Sequence, residues 1–97
     1  MAPKKEMLES VKKFQKHIFR ARGMIPLKLA EAKEELSLAL EQIVIQRRLG
    51  APNDDLNTME NYIKRIMEGI YLNDAFLAQD IFKNFFEWLS DKMLMAS

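Results

Sequence analysis

The chain has 97 residues, 48% of them hydrophobic and 30% charged, with a net charge of +1 and no cysteine. This composition is globular and not disordered. The length suits one domain over residues 1–97, and the missing thiols exclude a disulfide framework or a thiolate metal site. No apolar run approaches the ~20 residues of a membrane span and no secretory leader is visible, so a soluble, cytoplasmic protein is expected.

Charge is spread unevenly. Residues 1–28 carry eight Lys or Arg against two acids, a net of +6, and the remainder carries seven against twelve, a net of −5. A basic segment therefore precedes a mildly acidic body.

The first helix is expected from about Lys4 to Arg22, with Pro3 in its first turn. Met7, Val11, Phe14 and Ile18 repeat at a 4-3-4 spacing and form an apolar stripe. Lys5, Lys12, Lys13, Lys16 and Arg20 cover the opposite side. Gly23 is expected to end this helix as a left-handed C′ residue, and Met24-Ile25-Pro26 to form the connector.

A second helix is expected from Pro26, at its first position, to Leu49. Leu29, Ala32, Leu36, Ala39, Leu40 and Ile43 share one face. Leu27, Leu38, Ile45 and Leu49 fall roughly opposite, so this helix has two apolar sides where an ordinary surface helix shows one. Glu31, Glu34 and Glu35 near its start and Arg47-Arg48 near its end follow the helix dipole. Gly50 to Asp55 reads as a loop.

The third helix should start at an Asn53 or Asp54 N-cap. Leu56, Met59, Ile63, Ile66 and Ile70 then repeat 3-4-3-4, a narrow packing seam. Asn73-Asp74 marks a turn, with Asp74 as the next cap, although one bent helix also fits the spacing. The fourth helix is expected from Ala75 to about Leu94. Its main face is Ala78, Phe82, Phe85, Phe86, Leu89 and Met93, and Leu77, Ile81 and Trp88 form a second stripe. Ile63 and Phe85 are expected in the core. Four helices with short connectors predict an all-α, antiparallel up-and-down four-helix bundle.

Nothing in the chain reads as a catalytic or metal site, and no cofactor or small-molecule substrate is implied. His17 is the only histidine and reads as a partly exposed boundary residue, because a general base needs a nucleophile in reach and a third group to orient it. Glu31, Glu34 and Glu35 lack the Glu-x-x-His pairs of carboxylate metal bundles and read as a solvated face. The three glycines are isolated, so no phosphate-cradling loop is present. The expectation is a non-enzyme.

The remaining signal is surplus apolar surface. Leu38, Ile45 and Leu49 on helix two, with Leu77, Ile81 and Trp88 on helix four, read as an interface for a protein partner or for a second copy in a homodimer. The expected function is a small interaction module of adaptor, chaperone, inhibitor or immunity type, with the basic helix steering an acidic partner. The alternative is a nucleic-acid-binding accessory protein that uses the Lys5/Lys12/Lys13/Lys16/Arg20 face. A membrane surface is disfavoured, since the apolar stripe of helix one is needed inside the bundle.

Overall fold

A computed structural model describes residues 2–92 as four helices: α1 (Ala2–Met24), α2 (Leu29–Arg48), α3 (Asn53–Tyr71) and α4 (Ala75–Asp91). The fold is all-α, and no strand occurs among the described residues. Leu94 and Met93, expected near the end of helix four, lie outside the described residues.

Three boundaries differ from the sequence reading. Gly23 does not end the first helix: it lies inside α1, and Gly50 is the glycine with positive φ. The chain instead leaves the helix at Ile25-Pro26, where proline has no N–H to continue the ladder. Accordingly Pro26 sits in the turn, with its preceding peptide bond cis, and α2 starts three residues later at Leu29. At the third helix Pro52 occupies the N-cap position, and no side chain caps it. Asn53 is not free to cap, because its side-chain oxygen accepts a hydrogen bond from Arg47 Nε at 3.1 Å.

Two helix ends close in the same manner. After α2, Gly50 N–H donates to the Arg47 carbonyl and Ala51 N–H to the Gln46 carbonyl, with Gly50 at φ +93°. After α3, Asn73 N–H donates to Ile70 and Asp74 N–H to Gly69, with Asn73 at φ +57°. Both are Schellman closures, in which a left-handed residue lets two orphan carbonyls be satisfied at once. The Asp74 carboxylate then accepts from Leu77 N–H at 3.0 Å and caps α4. Asn73-Asp74 thus separates two helices, and the single bent helix is excluded.

Side-chain pairs give the direction of each hairpin. Ser10 bonds Gln42 and His17 bonds Glu35, so seven steps forward on α1 are seven steps back on α2. Asp55 with Lys92, Tyr62 with Phe85 and Gly69 with Ala78 show the same opposition between α3 and α4. Both hairpins are antiparallel. α1 packs most extensively on α2, α3 packs on α4, and α2 also packs on α3. The result is elongated, 44 × 24 × 20 Å.

The core runs through all four helices. Ile18, Leu36, Ile43, Leu56, Ile63, Ile66, Phe85 and Leu89 are its largest fully buried side chains. Ile63 and Phe85 are therefore core, as their positions in the repeats imply. On α1 the inward row is Ser10, Phe14, Ile18 and Ala21, continued by Ile25 of the turn, whereas Met7 and Val11 are only half-buried. Alanines at 21, 32 and 39 are fully buried.

Candidate interaction surfaces

Both two-sided helices have a local explanation. On α2, Glu35 and Gln42 point toward α1, and Leu38, Ile45 and Leu49 share that flank at helical spacing. The core row Ala32-Leu36-Ala39-Ile43 lies on a different side of the same helix. α2 is thus covered by α1 on one flank and by α3 on another. Leu38 and Ile45 stand at the outer edge of the α1 seam and stay exposed, while Leu49 is half-buried beside Lys4, Met7, Leu8 and Val11 in a groove of about 430 Å³.

On α4 the second stripe divides. Ile81 is buried, a member of the core cluster. Trp88 is half-buried against Tyr62, with ring centroids 6.3 Å apart and Lys92 Nζ 5.9 Å from the indole centroid. Leu77 alone of the three is exposed. α2 and α4 do not form one of the closely packed pairs.

The most exposed apolar cluster lies elsewhere, around the α3–α4 turn. Phe76 is 82% exposed, Tyr71 79% and Leu72 60%, with Leu77 beside them. The cause is positional. The inward row of α3 ends at Ile70 and that of α4 begins at Ala78, so the residues between them point away from the core. Glu68, Asp74 and Asp80, each within four residues of this cluster along the chain, are exposed as well. Leu27, in the α1–α2 turn, is also almost fully exposed. Sequence periodicity passed over Tyr71, Leu72 and Phe76 because they belong to no stripe. The available signal was large apolar residues on both sides of a turn whose own polar residues are used in closing it.

Between α1 and α4 runs a groove of about 680 Å³ with an aromatic floor. Phe19 and Phe86 meet at 5.6 Å, Phe82 stacks on Phe86 at 5.5 Å, and the Arg22 guanidinium lies 4.4 Å over the Phe86 ring. Lys83, Glu87 and Asp91 also line this groove, so both signs of charge are present.

The polar groups act mainly as ties between helices. His17 Nδ1 is 2.8 Å from the Glu35 carboxylate. His17 is the partly exposed boundary residue that the sequence suggests, whereas Glu35 is half-buried in this contact and is not part of a solvated face. Ser10, also buried, donates to Gln42 Oε1 at 2.9 Å. Glu60 accepts from Arg47 at 3.2 Å and from Lys64 at 3.3 Å. Partial burial pushes the Glu60 carboxyl up, but the hydrogen bonds and positive charge of Lys64 and Arg47 outweigh it and hold the group below its ordinary value.

Lys5, Lys12, Lys13, Lys16 and Arg20 are all exposed along α1. No ion pair among the described residues involves any of them. Among the described residues, no helix is long and apolar enough to cross a membrane. Nor does any group of three or more His, Asp or Glu stand ready to hold a metal ion. Comparison with protein families, curated proteins and solved structures finds no match to this chain.

Proposed function

We propose that this protein acts by binding another protein through its apolar surface, as a non-catalytic module of the adaptor, inhibitor, chaperone or immunity kind. The observation that carries this reading is the tip formed by Tyr71, Leu72, Phe76 and Leu77. Large contiguous apolar patches are seldom left in water by monomers, and aromatic side chains supply much of the energy of interfaces. Acidic Glu68, Asp74 and Asp80, near the patch along the chain, suit a partner with an apolar pocket and a basic rim. The helices would form an up-and-down bundle presenting this tip at one end, working in the cytoplasm. A homodimer is a variant of the same reading, with Leu38, Ile45 and Leu77 as the exposed members of the two stripes.

Affinity capture from the native source, with wild type and with Leu72→Ser/Phe76→Ser, tests the proposal. A partner retained by the wild type and lost from the variant supports it. Equal capture by both removes the tip from the account. Sedimentation equilibrium of the wild type, alone at micromolar concentration, separates self-association from binding of a different protein.

A further inference from the structure

We propose that the basic ridge of α1 binds the phosphate backbone of single-stranded nucleic acid without reading its sequence, on a surface separate from the apolar tip and independent of its role. Lys12, Lys16 and Arg20 follow one another at single-turn spacing, about 6 Å apart along the axis. Lys13 flanks this row, and Lys5 extends it beyond Glu9. Elsewhere three cations pair with acids: Arg47 and Lys64 with Glu60, and Lys92 with Asp55. The ridge cations have no such partner among the described residues, so a polyanion would meet them unneutralised. Glu9 lies within the row, and Glu31 and Glu34 lie on the adjoining helix; none is within ion-pair distance of a ridge cation.

The choice of polyanion follows from the neighbours of the row. A bilayer would need a continuous row of apolar side chains to insert, but Phe14, Ile18 and Ala21 of α1 are buried inside the protein. Leu8 and Phe19, the exposed large apolar residues of α1, are about three turns apart. Phe19, one turn from Lys16, is 47% exposed while its ring also packs on Phe86. A held, half-open ring beside a line of cations can stack an unpaired base, which a single strand offers and an intact duplex does not. Such contacts carry no base identity, so binding is sequence-independent.

The test is fluorescence anisotropy of a labelled oligothymidylate of about 20 nucleotides, long enough to exceed common single-strand site sizes, titrated with the full chain. Five neutralised phosphates give a slope of log affinity against log salt of about −3.5, so affinity falls roughly 100-fold between 50 and 200 mM salt. Lys12→Glu/Lys13→Glu/Lys16→Glu should abolish binding while circular dichroism stays helical. If that variant unfolds, Lys12→Gln/Lys13→Gln/Lys16→Gln replaces it and should lower both the affinity and the slope. Phe19→Leu should weaken binding about 5-fold or more and leave the slope unchanged. No binding at 50 mM salt, a flat salt response, or equal binding by a folded charge variant overturns the proposal. So does co-sedimentation with phosphatidylserine vesicles by a protein that ignores the oligonucleotide.

Discussion

The two hairpins are held together by different means. Between α1 and α2 run two polar ties, Ser10–Gln42 and His17–Glu35, and the core rows of these helices carry buried Ala21, Ala32 and Ala39 among the larger Phe14, Ile18, Leu36 and Ile43. Between α3 and α4 it is largely aromatic, with Tyr62 stacked on Phe85 at 5.2 Å and next to Trp88. Small residues let two helices approach along their length, and the polar pairs then fix their register. Aromatic residues fill more volume per position and stabilise by burial, with an added preference for defined ring geometry. The first hairpin should therefore tolerate loss of a single contact better than the second.

The largest effect is expected where the aromatic seam meets the core. Phe85→Ala should lose about 3–5 kcal/mol in denaturant unfolding, since a fully buried ring leaves a cavity that rigid helices fill poorly. A loss under about 1 kcal/mol would erase the contrast between the hairpins.

Next is the close approach of α3 and α4. A Cβ on Gly69 would stand 3.3 Å from the Ala78 amide nitrogen, so Gly69→Val crowds the backbone of α4. A destabilisation of about 1–3 kcal/mol is expected from overpacking. Unchanged thermal stability would show that the hairpin can spread freely.

The polar seam should respond more weakly. A double-mutant cycle of Ser10→Ala and Gln42→Ala should give a coupling of about 1 kcal/mol, the usual net value of one hydrogen bond. A coupling near zero would assign the register of α1 on α2 to apolar packing and the His17–Glu35 contact.

Much of this design was legible in the sequence, and the misreadings have physical causes. Heptad spacing placed Ile63 and Phe85, because a helix period fixes which residues share a face. It could not say what covers each face. Leu38 and Ile45 do stay exposed on α2, whereas Ile81, read as part of the same surplus, is covered within the chain. Gly23 carries a glycine's freedom without using it, while Asn73 adopts the left-handed conformation. The interhelical ties at His17–Glu35 and Ser10–Gln42 depend on register, which periodicity within one helix does not contain. The apolar tip escaped notice because it belongs to the end of two rows and not to any stripe.

A smaller effect concerns pH at the α2–α3 junction. The Glu60 carboxyl is held below its ordinary value in the folded protein. Its contribution is therefore present above the unfolded value of about 4.3 and fades as pH falls through the lowered folded value. Wild type should lose a few tenths of a kcal/mol more than Glu60→Gln on acidification, the scale of partly exposed ion pairs. Parallel pH profiles of the two proteins would contradict the Arg47–Glu60–Lys64 arrangement.

The fold rests on the buried rows of the four helices, and the side chains of the tip are exposed outside them. The most direct measurement is guanidinium unfolding of Leu72→Ser/Phe76→Ser beside the wild type. The variant's stability should lie within about 0.5 kcal/mol of the wild type, the usual range for surface substitutions. A loss of about 2 kcal/mol or more would place those side chains in the folded core and contradict this arrangement.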